Sequence, residues 1–252
     1  MEDKKVSMKQ VIAIGGAFMG FVIGSSFASG QECMQYFTGF GVWKSVGAGL
    51  IALLLYVWFV STIVEDGRYL KLNNSGKIFN FYLGKYLGWA LEWFTPIMLF
   101  FVYSMMISAA GSTFSEYYGV DGNIGRAIMI IASLATVLLG LDKLVQIIGY
   151  ISPVLLLVTI VIGVISIANN PEGIAQADAS LQTITVHTNF NNWIISGLMY
   201  GAYTVTGVVP YLADIGKSTS TGKKNSIWGG VFGGGAFIIA VMILNFGLLA
   251  NI

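Results

Sequence analysis

The chain has 252 residues, 56% of them hydrophobic and only 10% charged, where soluble domains carry roughly 25% charged residues; its mean hydropathy is +0.76. Such a chain has too little polar surface for a water-soluble enzyme and too much apolar content for disorder, and its net charge of +1 offers no basic footprint for nucleic acid. One cysteine, Cys33, allows no internal disulfide, and one histidine, His187, leaves no histidine-rich metal cluster.

These numbers predict an all-α integral membrane protein. A helical span needs about 20 mostly apolar residues, and the apolar runs are continuous rather than short and alternating as in a β-barrel. In chain order the predicted spans are 11–31, 45–64, 88–112, 125–141, 144–168, 193–212 and 226–250, seven in all. Asp142 and Lys143 make the tight turn between the fourth and fifth. The stretch 69–86 is not a span. Its Ile78, Phe79, Phe81, Tyr82 and Tyr86 predict either an amphipathic piece on the inner surface or a solvated loop with aromatic anchors. The stretch 169–192 has no Lys or Arg and predicts an external loop.

With the N-terminus in the cytoplasm, eleven Lys and Arg residues fall inside and two, Lys44 and Arg126, outside. That bias is the positive-inside signature. The expected location is therefore the cell membrane, multi-pass, with a cytoplasmic N-terminus. Lys4-Lys5 followed by an apolar stretch and Ala28-Ser29-Gly30 also fits a cleaved signal peptide, which would leave the remaining topology unchanged.

The first predicted span looks built to break. Gly16, Gly20 and Gly24 form a small seam suited to close helix contact. Beyond Gly24, the residues Ser25, Ser26, Phe27, Ala28, Ser29 and Gly30 bring together types that favour non-helical backbone. Ser29-Gly30-Gln31-Glu32 then reads as a capping box, Ser29 at the N-cap and Glu32 at N3. A helix start inside an apolar run predicts two half-helices joined by an unwound stretch near 24–29. Non-helical backbone at membrane depth occurs only inside protein or beside a water-filled cavity, so the break points to a binding site. Carbonyls at the end of the first half favour a cation; N–H groups at the start of the second favour an anion.

The sixth span has Gly201, Thr204, Thr206 and Gly207 at its middle, followed by Pro210, with Tyr200 and Tyr203 flanking the weak point. It reads as a second discontinuous helix or as an ordinary proline-kinked one. Two interrupted helices, five spans apart and opposite in direction, are the mark of an inverted-repeat transporter.

The segment Gly24-Ser25-Ser26-Phe27-Ala28-Ser29-Gly30-Gln31-Glu32, followed by Gln35-Tyr36-Phe37, resembles the first-helix motif of the YkvI-type bacterial membrane proteins. That family is similar to the amino acid–polyamine–organocation superfamily, whose members have the LeuT-type fold. The resemblance implies a five-plus-five inverted repeat, with residues 1–168 as the first repeat and 191–252 as the start of the second. It implies a secondary transporter, or a fragment of one, for a small organic solute such as an amino acid or related amine. It also implies sodium or protons as coupling ion, a sodium site at the helix break, and no other cofactor. Seven spans leave the eighth to tenth missing, so the chain is expected to be a fragment, a truncated product or half of a split protein.

Glu32 has two readings, a coupling carboxylate or a member of the capping box. Glu92, near the inner end of the third span, and the exposed-loop His187 read as structural. Gly229-Gly230 and Gly233-Gly234-Gly235 read as close-packing residues, since no Lys-Ser or Lys-Thr follows to make a phosphate loop. A seven-helix receptor would reverse the charge pattern, and a membrane enzyme would need clustered His, Asp or Cys within spans. A non-transporting scaffold that needs a partner chain to supply the missing helices remains the alternative.

Overall fold

The computed structural model describes residues 6–24, 27, 30–139, 141–184, 186–218 and 222–252, without the side chains at 141–150, 152 and 218. Among the described residues all regular structure is helical. In chain order the helices are α1 (Met8–Val22), α2 (Gln31–Tyr36), α3 (Gly41–Leu70), α4 (Ile78–Tyr118) and α5 (Gly122–Leu138). They continue with α6 (Leu141–Asn169), α7 (Pro171–Ser180), α8 (Trp193–Ser218) and α9 (Lys223–Leu249). Short 3-10 turns at Thr38–Phe40 and Ser75–Lys77 precede α3's start and α4.

Three helical runs are long and apolar enough to cross a membrane: Gln31–Leu70, Ser75–Tyr118 and Lys223–Leu249. A fourth is available if Pro153–Asn169 and Pro171–Ser180, bent by 84° at their junction, act as one span. Each of the predicted spans from the second onward overlaps one helix. The first does not, because α1 stops at Val22 after 15 residues.

The chain clusters into two compact units, Met1–Ile78 with Ile151–Ile252, and Phe79–Tyr150. In the larger unit, α3 lies between α8 and α9, and α1 packs on α9. Small residues make these crossings close. A side chain at Gly67 would meet the Ala213 backbone, and one at Gly216 the Val64 carbonyl. Gly233 and Gly15 face each other's backbone where α1 crosses α9, while Gly230 and Gly234 lie against Val57 and Tyr56 of α3. The glycine run of α9 is thus a packing surface, as its sequence suggests. On α1 the contact falls on Gly15; Gly16, placed in the seam by its spacing, has open space around it.

Two sets of buried polar groups in this unit are paired across helices. Thr38 donates to Asn245 (2.9 Å), whose amide donates to Ser45 (3.0 Å). Asn225 accepts from the Ser7 backbone N–H and donates to Gln10. Such satisfied pairs fix helix register inside an apolar core.

The stretch predicted as an external loop contains α7, with Pro171 in its first turn, where a missing N–H costs nothing. Asp178 of α7 accepts from the Val42 N–H at the start of α3. Gly41 sits at φ 74° with no room for a side chain beside that carboxylate.

The smaller unit is a helical hairpin. Within α4, Gly84 (φ 74°, ψ 178°) breaks the helix into a short piece and a long one. Ile78 and Phe79 are buried while Phe81, Tyr82 and Tyr86 are exposed, an amphipathic pattern at the start of α4. Glu92 accepts from Asn80 in the same unit. Asp121 caps α5, and Tyr103 and Ser133 share a hydroxyl–hydroxyl hydrogen bond between α4 and α5.

Candidate functional site

Helix α1 ends at Val22 because Ile23 turns to extended backbone (φ −74°, ψ 103°) and only its N–H reaches back, to Met19. Gly24 is non-helical and half-buried. Phe27 is helical again, and α2 begins at Gln31. Among the described residues the helix is therefore interrupted at Ile23 and Gly24; Ser25, Ser26, Ala28 and Ser29 lie outside them. Phe27 is fully buried, with its ring 5.2 Å from that of Phe237 on α9.

The start of α2 differs from the predicted capping box. Gly30 is the N-cap, in the left-handed region at φ 77°. Ser29, the expected cap, lies outside the described residues. Gly30 reaches a conformation that costs other residues a steric clash, so the turn is made by backbone freedom. Glu32 then falls in the first turn. Its carboxylate, 8% exposed, accepts a hydrogen bond from the Tyr200 hydroxyl of α8 at 3.0 Å. It ties the first-helix segment to α8.

Around this pair the two halves of the larger unit bring aromatic rings together. Tyr200 lies 5.1 Å from Tyr36 and 4.9 Å from Phe37, the latter edge-on at 80°. On its other side Tyr200 faces Phe237 at 6.5 Å and Tyr56 at 6.4 Å. Tyr203, 46% exposed, lies nearly parallel to Tyr36 with 6.4 Å between centroids. The result is a graded site: exposed Tyr203, half-buried Tyr36, then buried Tyr200 and Glu32. Ser196 donates to the Tyr36 carbonyl and Asn189 to the Gln35 carbonyl, which hold α2 in place.

Helix α8 is not discontinuous. It runs unbroken from Trp193 to Ser218 with Pro210 inside it. Thr204 and Thr206 turn their hydroxyls back to the carbonyls of Tyr200 and Ala202, four residues earlier. Proline removes one ladder bond, but the helix is held against α3 along its length by Gly197, Gly201 and Gly216. The packing outweighs the one lost bond, so the second predicted break does not occur. Of the residues read as site residues on α8, Tyr200 and Tyr203 reach the cluster with Glu32; Thr204 and Thr206 spend their hydroxyls on their own helix.

Tyr56 was not predicted. It is fully buried on α3, 5.2 Å from Phe18, and its hydroxyl has no hydrogen-bond partner at normal geometry, with Thr204 and Tyr200 as its polar neighbours. The sequence signal is a phenol at the centre of Ala52–Val60, otherwise wholly apolar. Among the described residues no three His, Cys, Asp or Glu side chains gather as metal ligands.

The chain is similar to an uncharacterized membrane protein, YkvI, of Bacillus subtilis, with 26% identity over 238 residues. The match covers 91% of this chain and 64% of that protein, so the chain spans less than two thirds of its relative's length. No family model and no solved structure matches it. The similarity, together with the apolar helices, supports a YkvI-like membrane protein.

Proposed function

We propose that the chain is a secondary active transporter, or part of one, for a small organic solute, an amino acid or related amine, coupled to sodium or protons. It acts as a carrier and not as an enzyme. The observation that carries this reading is the interrupted first helix followed directly by a buried carboxylate that is hydrogen-bonded to α8. Irregular backbone beside a buried ionisable group is costly in a membrane unless it serves a pathway. A five-plus-five inverted repeat fits that pairing, since α1 and α8 would be the first helices of the two repeats. Seven spans with the N-terminus in the cytoplasm fit the distribution of Lys and Arg. The continuous α8 departs from the usual plan and leaves the broken first helix as the moving part.

The test is uptake of labelled amino acids and amines into proteoliposomes under an imposed sodium or proton gradient. Saturable, gradient-driven uptake is expected, falling at least about a hundredfold in Glu32→Gln, the range for loss of one essential group in a proton-transfer step. Uptake that is unchanged in Glu32→Gln removes the carboxylate from the mechanism.

A second reading is a non-transporting subunit that needs a partner chain. It is favoured by the run Ser75–Tyr118, of whose apolar window only 6% is buried, against 50% for Lys223–Leu249. It predicts no uptake by the chain alone, and a partner at fixed stoichiometry in the native mass of the membrane-extracted complex.

A further inference from the structure

We infer that the cavity at the tip of the α4–α5 hairpin holds the head group of a membrane phospholipid with a primary ammonium beside its phosphate, a phosphoethanolamine head group. The site lies wholly within the smaller unit. It is independent of the transport reading and requires only that the hairpin spans a membrane.

Glu116, Asp121 and Arg126 are the charged residues between Glu92 and Asp142. The helical stretches on either side, 93–111 and 127–138, carry none. The fold brings all three to one cavity of about 410 Å³, formed by the last turns of α4 and the first turns of α5. That volume is within the range of small-molecule sites, roughly 300–1,000 Å³. Among the described residues Arg126 forms no ion pair with either carboxylate. Two carboxylates and a guanidinium thus line one space without neutralising each other, and a ligand carrying both signs of charge completes them.

The guanidinium is set in place by the helix crossing. A side chain at Gly111 would fall 2.8 Å from both Cγ and Nε of Arg126, so the arginine stem lies across α4 where that helix has no side chain. Its Nη1 donates to Asn123 at 2.8 Å. The remaining N–H groups of the fork have no partner among the described residues, and such a fork grips a phosphate with two bonds. The carboxylates divide their roles. Asp121 accepts from the Asn123 N–H and caps α5, so Glu116 is the carboxylate left to receive an ammonium. A primary ammonium also meets the hydroxyls of Ser112 and Ser115. A quaternary one has no N–H to donate. The described lining residues include no aromatic ring, so no ring face holds it instead.

Position selects a lipid as the source. The three charges stand where the apolar helix pair ends, and Tyr117 and Tyr118 beside them are exposed, as in the aromatic belt of a bilayer interface. Met105 and Phe101, seven and eleven residues before Ser112, lie on the same face of α4 and are exposed. A head group in the cavity therefore lays its acyl chains along an apolar strip, from which a soluble zwitterion gains nothing.

The experiment is lipid binding to the purified full chain in detergent, read by native mass spectrometry. Dioleoyl phosphatidylethanolamine is compared with the phosphatidylcholine and phosphatidylglycerol of the same acyl chains, and with free phosphoethanolamine. Phosphatidylethanolamine is expected to bind at least about tenfold more tightly than the other two lipids, the worth of one hydrogen bond to a charged group. Free phosphoethanolamine at equal concentration is expected not to displace it. Arg126→Gln is expected to weaken phosphatidylethanolamine binding about tenfold. Glu116→Gln is expected to erase its advantage over phosphatidylglycerol. Both positions are exposed, and circular dichroism is expected to show unchanged helix content in each variant. The inference is overturned if the chain does not prefer phosphatidylethanolamine, or if free phosphoethanolamine displaces it. It is equally overturned if Arg126→Gln leaves the affinity, or Glu116→Gln the preference, as it was.

Discussion

Helices α1 and α8 contain similar ingredients and behave differently. The first and sixth predicted spans both place glycine and hydroxyl residues near their middle, and the sixth adds a proline, yet α1 stops at Val22 and α8 continues to Ser218. The difference lies in where the glycines point. On α8 they face α3, Gly197 against the Ala48 backbone, Gly201 against Leu55 and Ala52 and Gly216 against the Val64 carbonyl, so the helix is held from outside near both ends. On α1 the close contact is at Gly15, seven residues before the helix ends, with Gly16 open. A helix in lipid keeps its form through packing on its neighbours, and propensity decides only where that packing ends.

The largest expected effect tests this directly. Gly216→Ala places a methyl group against the Val64 carbonyl, a backbone atom that cannot rotate away. It should destabilise the chain by about 2–3 kcal/mol, the upper part of the range for overpacking. Gly16→Ala on α1 meets nothing and should be neutral or stabilising by up to about 1 kcal/mol. Thermal unfolding in detergent, followed by circular dichroism, gives both numbers. Equal shifts in the two variants would mean that the α3–α8 seam is looser than its geometry.

Next comes the turn into α2. Gly30 has ordinary space around its missing Cβ, with Leu248 at 3.5 Å, so a substitution there reports backbone strain alone. Gly30→Ala should cost about 1–2 kcal/mol and should lower the affinity of the Glu32 site by moving α2. A variant with unchanged stability and binding would show that the start of α2 is not fixed by this residue.

Pro210→Ala sharpens the comparison from the other side, with the opposite sign. In a continuous helix it restores an N–H to the Thr206 carbonyl and removes a ring clash, less the restriction that proline imposed on the unfolded chain. The net expectation is a gain of about 1 kcal/mol. If α8 were broken with Pro210 in a first turn, the substitution would be neutral or destabilising, because that N–H has no partner there.

Much of this was legible in the sequence. Helix positions followed from apolar runs, and an interruption after the first helix followed from the composition beginning at Gly24, because both are local. The role of Glu32 was half legible: its depth was readable, but its partner Tyr200 is 168 residues away. The capping box was a local reading that a left-handed glycine replaced. Continuity of α8 could not be read, since it depends on which face of α3 receives its glycines. Helix α7 was hidden by its polar composition, and Tyr56 by the apolar run around it.

The smallest expected effect separates Thr204 from Thr206. Both hydroxyls bond back to their own helix, Thr204 to Tyr200 and Thr206 to Ala202. Those carbonyls already receive the helical N–H of the same threonine, so the hydroxyl is a second donor, and valine keeps the β-branched shape. Thr206→Val should therefore change stability by no more than about 0.6 kcal/mol, the average for a side-chain hydrogen bond in a membrane helix bundle. Thr204→Val should match it if the Tyr56 hydroxyl stands alone, as its geometry indicates. Thr204 is, however, the polar neighbour of that hydroxyl. Should Thr204→Val cost more than about 1 kcal/mol, the excess is the penalty for a buried phenol left without company. In that event Thr204 belongs to the Glu32–Tyr200–Tyr56 cluster and not merely to the helix that carries it.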